Sequence, residues 1–338
     1  MTIARGLSDR FVFDAITYGS AAGDYDDEFE ALGGKIHRLS LLDYDNHKLT
    51  YPLRFFQIKS ALNKILKNTG YDIIHCHNGV ESGIFLKFAK KRGVQKRISH
   101  AHGNYLRSGS NKILLFYHSF CKKLIHKNAT VRLACSRSAG ETLYNNDEFI
   151  NVLNFVDTSV YSNLVKQKHG TLNLLQIGYF CKNKNQLFSI HLLKTLIENE
   201  VDSKLTFIGF AQDEEYYNAM LSAVSQLNLQ DRVCFLPPDA DKREVFPLTD
   251  AVLLPSHSEG LPLVALEAQA ASTLCLASDR VPKDIDIGLA RFVELGNIDA
   301  WRSAIENADF SNPKSQVNVD AVNLSSWISR IEDIYNAD

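Results

Sequence analysis

The chain has 338 residues, of which 45% are apolar and 22% charged, and its formal net charge is −2. This balance excludes a disordered or fibrous protein, because so many apolar side chains can offset the ordering entropy of a packed core. The longest uncharged apolar runs are much shorter than a membrane span, and the first ten residues lack the apolar core of a secretory signal.

Short β-rich runs alternate with longer stretches of helical period along the whole chain. Six strands are predicted in the first half, at Phe11–Tyr18, Ile36–Leu42, Asp72–His77, Arg97–Gly103, Val131–Ser136 and Asn151–Phe155. Six more are predicted in the second half, at Leu172–Tyr179, Lys204–Phe210, Val233–Pro237, Ala251–Ser256, Leu274–Asp279 and Arg291–Leu295. Helices are predicted at Arg54–Asn68, Lys112–Lys127, Gln186–Asn199, Asp213–Leu227 and Leu324–Tyr335. Most strands are continuous apolar runs, which is typical of parallel strands buried on both faces.

This alternation predicts an α/β fold with two doubly wound, Rossmann-like domains that face a cleft. We predict an N-terminal domain over 1–155, a linker over 156–171 and a C-terminal domain over 172–320. A final amphipathic helix within 321–338 needs an apolar surface to cover its buried stripe, and we expect it to cross back to the first domain. The six cysteines stand singly among apolar residues, so we interpret them as core residues in a reducing cytosol.

The near-neutral total charge hides an asymmetry between the two halves. Residues 54–132 contain 16 Lys and Arg against two acids, a formal +14, so the remaining residues carry −16. Such a split favours an anionic partner for the first half, either a phosphate-bearing substrate, an anionic lipid or a nucleic acid. The alternative is a solvated basic face that has no partner.

The most specific local pattern is the segment Ser256–Ala268, in which a buried strand leads through a polar loop into a helix. Glu259 lies in the loop and Glu267 in the helix, and Pro262 stands near the helix start, a position that suits proline. Two ionised carboxylates on one element can accept hydrogen bonds from vicinal sugar hydroxyls. The alternative is that Glu259 only caps the helix.

This segment resembles the Glu-x7-Glu signature of the retaining family-4 glycosyltransferases of the GT-B fold, the type that builds bacterial surface polysaccharides. The resemblance extends to further segments in the same order, Asp72–Asn78, Arg97–Gly103, Ala134–Ala139, Val152–Asp157 and Gln176–Asn185. It covers the chain from about residue 10 to its end. Each of these motifs is weak alone, and their joint order carries the resemblance.

The resemblance implies a role for each matching residue. Catalytic roles fall on three residues: His102 beside the transferred sugar, Lys184 on the leaving diphosphate and Glu259 on the sugar hydroxyls. Donor-binding roles fall on Gly178, Tyr179, Lys182, Gly209, Gly260, Leu261, Leu263 and Glu267, the last holding the nucleotide ribose. His100 is the second choice to His102, and the alternative for both is that they satisfy the polar ends of buried strands. No metal and no cofactor are implied, because the nucleotide sugar is a substrate.

Two features depart from the family pattern. Tyr179 stands where the family usually has an arginine, and a tyrosine brings neither charge nor a bidentate fork. The family's first strand and Gly-rich loop are missing ahead of the first helix. Either the true start lies upstream or the chain is an inactive relative.

The function predicted from the resemblance is transfer of a hexose, from a UDP-sugar by preference, to a lipid-linked oligosaccharide during capsule, exopolysaccharide or O-antigen synthesis, with retention. The alternative is an inactive glycosyltransferase-like partner or scaffold subunit. Two other classes are not favoured. The sequence has no nucleic-acid-binding signature, and no Gly-x-Gly-x-x-Gly of a nicotinamide dehydrogenase follows a strand. We expect a cytoplasmic protein at the inner face of the cell membrane, held by the lysines of residues 111–127. The alternative is that the apolar side of this segment packs inside the domain.

Overall fold

The computed structural model describes residues 1–39, 51–67, 70–103, 112–145, 147–167, 170–310 and 317–337. The chain divides into two compact units. Unit 1 comprises Met1–Val152 and Ser325–Asp338, so the last helix returns to the first unit. Unit 2 comprises Leu153–Leu324 and includes the segment that the sequence predicted as a linker.

The described residues of unit 1 form six parallel strands in two sheets. They are β1 (Asp14–Thr17), β2 (Lys35–Arg38), β3 (Ile73–Cys76), β4 (Lys96–Ala101), β5 (Val131–Ala134) and β6 (Ile150–Asn151). One sheet is the pair β1–β2, and the other has the order β3–β4–β5–β6. A cavity of about 350 Å³ is lined by residues of both β1 and β3. Beside it, the Tyr18 hydroxyl donates to the buried Glu81 over 3.0 Å.

Helices pack around the two sheets of unit 1. They are α1 (Thr2–Leu7), α2 (Asp26–Ala31), α3 (Tyr51–Ile65), α4 (Ser82–Lys91), α5 (Lys112–Asn128), α6 (Arg137–Tyr144) and the last helix, α13 (Leu324–Asn336). On one face, Leu7 of α1 and Ile331 of α13 pack against Ile98 and Leu133 of the four-stranded sheet. The amphipathic stripe predicted for the last helix is therefore buried within unit 1.

Where the structure describes unit 2, it is one six-stranded parallel sheet with helices between its strands. The strands are β7 (Leu172–Ile177), β8 (Ser203–Ile208), β9 (Val233–Leu236), β10 (Ala251–Leu254), β11 (Leu274–Ser278) and β12 (Ala290–Val293). The helices are α7 (Ser159–Ser162), α8 (Gln186–Glu198), α9 (Glu214–Gln226), α10 (Lys242–Val245), α11 (Leu263–Ala270) and α12 (Ile298–Glu306). The sheet order is β12–β11–β10–β7–β8–β9, so the winding reverses between β7 and β10.

Local sequence explains where several helices of unit 2 begin. Asp213 caps α9 by accepting from the amide of Tyr216 over 3.0 Å, and Asn297 caps α12 in the same way from Ala300 over 3.0 Å. The core below is apolar and aromatic, with Phe207 and Trp301 fully buried. The Trp301 indole N–H donates to the carbonyl of Glu294 over 3.0 Å, so its one polar atom is satisfied.

The predicted strands all form, but several of them are shorter than predicted. The sequence extended the sixth strand to Phe155, whereas β6 ends at Asn151, since the chain passes there into unit 2. The predicted ends at Leu42 and Asn68 lie outside the described residues. Cys234 is exposed and Cys181 half-buried, so the prediction that all six cysteines belong to the core was wrong for these two. None of the described helices has the length and apolarity needed to cross a membrane.

A glycine sets the distance between α4 and α5. A Cβ at Gly83 would lie 2.3 Å from the carbonyl oxygen of Cys121 and 2.9 Å from the Leu124 side chain. We expect Gly83→Ala to lower the free energy of unfolding by about 1–3 kcal/mol through overpacking, measured by denaturant unfolding. Gly70→Ala is the matched control, since no atom of the described residues lies within 4 Å of its Cβ position. Equal stability of the two variants would contradict this packing.

Candidate functional site

The reversal of winding in unit 2 brings two loops side by side. β7 and β10 are hydrogen-bonded neighbours, with Leu174 opposite Ala251. The loop after β7 and the loop after β10 therefore leave the same edge of the sheet. This is the topological switch point, where open α/β sheets bind their ligands.

Two glycines shape the edge at which these loops begin. Gly178 follows β7 with a φ of +147°, and Gly209 follows β8 with a φ of +157°. A Cβ at Gly209 would lie 2.1 Å from the carbonyl oxygen of Gly178, so only glycine allows the two turns to approach this closely. Both glycines were predicted as donor-binding residues, and the structure gives them a backbone role at the correct edge.

Asparagines join the loop after β7 to the loop after β10. The amide of Asn183 donates to the carbonyl of Ser258 over 2.9 Å, and its own carbonyl accepts from the His257 amide over 2.9 Å. The Asn185 amide donates to the carbonyl of Pro255 over 3.2 Å. These bonds hold the two loops at a fixed separation. The position of Lys184 on one loop relative to Glu259 on the other depends on that separation.

Lys184 and Glu259 form an ion pair across the two loops. Lys184 Nζ lies 2.7 Å from Glu259 Oε1, and their side chains are only 20% and 10% exposed. The backbone carbonyl of Lys184 accepts from the buried Gln176 over 2.8 Å, which anchors the lysine from below. The alternative that Glu259 caps the helix is wrong, since its carboxylate is committed to Lys184 and α11 begins only at Leu263.

Glu267 lies one turn into α11 and is held by residues that the sequence analysis missed. Lys242 Nζ binds both carboxylate oxygens, over 2.9 and 2.7 Å. Tyr161 also bonds to Glu267, and burial together with this carboxylate raises the pKa of the tyrosine hydroxyl. The two glutamates of the motif thus each have their own lysine. Nothing in the local sequence around Lys242 or Tyr161 signals this arrangement, because both come from distant segments.

No side chain caps the amino end of α11 in the part of the chain that the structure describes. Its cap position is Pro262, which has no side-chain oxygen. The predicted residues Gly260 and Leu261 lead into this end, and Leu263 is the first helical residue. The first amides of a helix carry partial positive charge, so an uncapped start attracts phosphate oxygens.

An exposed aromatic pair stands where the family pattern has an arginine. Tyr179 and Phe210 lie at the carboxyl ends of β7 and β8 with ring centroids 4.8 Å apart and planes inclined by 64°. Their side chains are 49% and 48% exposed, so the pair presents apolar ring surface at the site. Lys182 is exposed on the same loop.

Four histidines gather in unit 1 at the carboxyl ends of β3 and β4. His75 Nε2 lies 3.2 Å from His100 Nδ1, and His77 Nδ1 lies 2.8 Å from His102 Nε2. Burial lowers the pKa of His75 and His100 far below the usual value, and desolvation also lowers the pKa of His102. His102 follows the last residue of β4, as the sequence predicted, whereas His100 is buried. The role of His102 in the reaction stays a prediction.

Two sequence families match consecutive parts of the chain. Residues 1–159 match Glycosyltransferase Family 4, and residues 164–286 match Glycosyl transferases group 1. The first match contains the histidine cluster, and the second contains the loops after β7 and β10.

Curated relatives match most of the chain. EpsF of Bacillus subtilis is 28% identical over 319 residues, covering 88% of this chain and 79% of EpsF. The capsular polysaccharide biosynthesis glycosyltransferase CapH of Staphylococcus aureus is 24% identical and covers 81% of this chain and 74% of CapH. An Escherichia coli galactosyltransferase, UDP-Gal:alpha-D-GlcNAc-diphosphoundecaprenol alpha-1,3-galactosyltransferase, is also 24% identical, covering 81% of this chain and 78% of that enzyme.

Solved structures share the fold over the whole chain. HepE of Anabaena, crystallised with UDP and glucose, superposes with a TM-score of 0.74 at 14% identity and covers all of this chain and 94% of HepE. With its parallel sheets, this chain has the two Rossmann-like domains of the GT-B fold. The chain is a member of the glycosyltransferases, with a family-4 part followed by a group-1 part and the GT-B fold.

Proposed function

We propose that this chain transfers a hexose from a UDP-sugar to a lipid-linked oligosaccharide during surface polysaccharide synthesis, with retention at the anomeric carbon. The observation that carries the proposal is the pairing of Lys184 with Glu259 at the switch point of unit 2. Support for the donor comes from HepE, which was crystallised with UDP, and support for the acceptor from the E. coli relative, whose name specifies a diphosphoundecaprenol-linked sugar.

The leaving diphosphate is the group whose charge rises during transfer. Lys184 and the uncapped start of α11 lie on the two loops at the carboxyl edge of the sheet, so both can face that charge. Preorganised donors of this kind stabilise developing negative charge without reorganising. We propose that they take the place of a metal ion in the transfer step.

The carboxylates remain able to bind sugars while they are paired. Each carboxylate has about four lone-pair positions, and Glu259 uses one oxygen for Lys184. Its other lone-pair positions can accept hydrogen bonds from the hydroxyls of the transferred sugar. Glu267 can accept the ribose hydroxyls in the same way, and Lys242 offsets its charge close to the diphosphate.

We expect UDP to stabilise the protein and Glu267→Ala to remove most of that effect. UDP at a hundred times its Kd contributes about 2.7 kcal/mol to the free energy of unfolding. A ribose contact exists before and during the reaction, so its loss weakens nucleotide binding more than it slows the chemical step. The measurement is a thermal shift with UDP, GDP and buffer alone. Glu198→Ala, on the exposed surface of unit 2, is the control.

If no nucleotide stabilises the parent protein, the donor proposal fails and the chain is better described as a scaffold partner. If Glu267→Ala responds to UDP as the parent does, the ribose role of Glu267 is wrong.

We expect Lys184→Ala to reduce the transfer rate by about 10²-fold, by analogy with removal of one oxyanion donor. The measurement is UDP release from a UDP-sugar with a lipid-linked acceptor, after the thermal unfolding midpoint has shown that the variant is folded. Lys194→Ala, on the outer side of α8, is the matched control and should keep the parent rate. A Lys184→Ala rate equal to the parent rate would remove Lys184 from the mechanism.

We also propose that unit 1 meets the inner face of the cell membrane through α5. The carboxyl-terminal half of this helix packs inward, with Cys121, Leu124 and Ile125 buried. The amino-terminal half instead leaves Ile113 and Phe116 exposed, by 65% and 77%. The alternative that only lysines are exposed is therefore wrong for this half. Apolar side chains next to lysines are the pattern of a helix that lies in a membrane interface.

We expect the protein to sediment with vesicles that contain anionic lipid, because each nearby lysine contributes about 1 kcal/mol of attraction. High salt should weaken this binding but should not abolish it, because insertion of Phe116 does not depend on salt. Phe116→Ser should remove the binding that remains at high salt. Val165→Ser, an exposed apolar position of unit 2, is the control. Binding that ignores both lipid charge and salt, or no binding to any vesicle, would exclude the membrane.

A further inference from the structure

We propose that His75, His77 and His100 of unit 1 form a binding site for one divalent transition-metal ion of the zinc class. The metal site uses none of the charged groups of the proposed sugar transfer, Lys184 and Glu259 of unit 2, although it lies next to His102, the histidine predicted to act in the reaction. It follows from a pattern that the sequence shows twice, a histidine at alternate positions on two successive strands, His75 and His77 and then His100 and His102.

The register of the sheet makes these repeats one cluster. β3 and β4 are parallel neighbours with His75 opposite Ile98 and Cys76 opposite Ser99, so His77 continues the register opposite His100. Alternate residues of a strand point to the same face, which places all four imidazoles on one face of the sheet. The rings of His75 and His100 lie nearly parallel, with centroids 5.3 Å apart.

The distances suit a common ligand. One ring nitrogen from each of His75, His77 and His100 lies within 4.8 Å of the other two. In a tetrahedral zinc site with Zn–N bonds of about 2.0–2.1 Å, the nitrogens stand roughly 3.3 Å apart. His75 Nε2 and His100 Nδ1 are already 3.2 Å apart, and small rotations of His77 would complete the set.

Hydrogen bonds from neighbouring side chains orient two of the rings, as they do in known metal sites. The Tyr335 hydroxyl lies 2.8 Å from His75 Nδ1, so a proton on Nδ1 leaves the lone pair of Nε2 directed toward His100. Ligating histidines commonly use their second nitrogen in this way, which fixes the tautomer. His102, 2.8 Å from His77, can hold that ring from the other side.

One atom of the cluster is unsatisfied by the part of the chain that the structure describes. His100 is 1% exposed, and its Nε2 has no hydrogen-bond partner among those residues. A buried polar atom in this state is unfavourable, so the hydrogen bonds among the described residues do not satisfy the whole cluster. A cation has a path to it, because His77 is exposed and the 350 Å³ cavity is lined by both His75 and His77.

The test uses the full chain, purified without a histidine tag and stripped with a chelator. We expect equilibrium dialysis to give one Zn²⁺ per chain, and Co²⁺ to give visible absorption bands without thiolate-to-cobalt charge transfer. All proteins in this test carry Cys234→Ser, so that this exposed thiol does not bind the ion. No activity is measured, so the result is independent of the proposed transferase function.

His77→Ala should weaken Zn²⁺ binding at least 10-fold, since it removes an exposed ligand and leaves the core intact. His100→Gln should do the same, and a circular dichroism melt shows whether this buried variant is folded. His191→Ala, an exposed histidine of unit 2, should bind as the parent does. The proposal is overturned if the parent binds no Zn²⁺ stoichiometrically, or if His77→Ala binds it with the parent's affinity.

Discussion

The candidate site depends on the parallel pairing of β7 with β10. Because the winding of the sheet reverses between these two strands, the loops that follow them emerge next to each other at the same edge of the sheet. The Asn183 and Asn185 bonds then fix the spacing of the loops. Only with that spacing can Lys184 reach Glu259 at 2.7 Å. A shift of one residue in this register would turn the alternating side chains to the other face and separate the pair.

Both glutamates of the motif are ion-paired with lysines, and these pairs have an electrostatic consequence. Two half-buried carboxylates beside a diphosphate would repel it, and a buried charge without a partner is costly. Lys184 and Lys242 offset these charges while leaving lone pairs for hydroxyl groups. The aromatic pair of Tyr179 and Phe210 adds an apolar ring surface where an arginine would have added charge. The loop after β7 therefore carries less charge at Tyr179 than the family pattern has there.

Unit 1 is built from the same elements as unit 2 but is less continuous. The six strands that its described residues form divide into two sheets, and a cavity lies against strands of both. The carboxyl ends of β3 and β4 carry four imidazoles and no described carboxylate pair comparable to Glu259 and Glu267. The two units therefore present different chemistry on similar sheets, acidic residues with lysines in one and neutral nitrogen donors in the other.

The sequence by itself determined the strand–helix order, the parallel sheets and the place of Glu259 and Glu267, because continuous apolar runs and a strand–loop–helix pattern are local signals. Lys184, Gly178 and Gly209, which the family resemblance marked, follow strands at the carboxyl edge of the unit 2 sheet, and their roles stay predictions. Only the tertiary structure decided the partners: Lys242 and Tyr161 reach Glu267 from distant segments, and Tyr335 of the last helix reaches His75 across 260 residues. Local patterns carry no information on such contacts, since they depend on strand register and helix packing. The same reason hid the exposed half of α5, whose apolar residues resemble core residues until the packing shows which of them have neighbours.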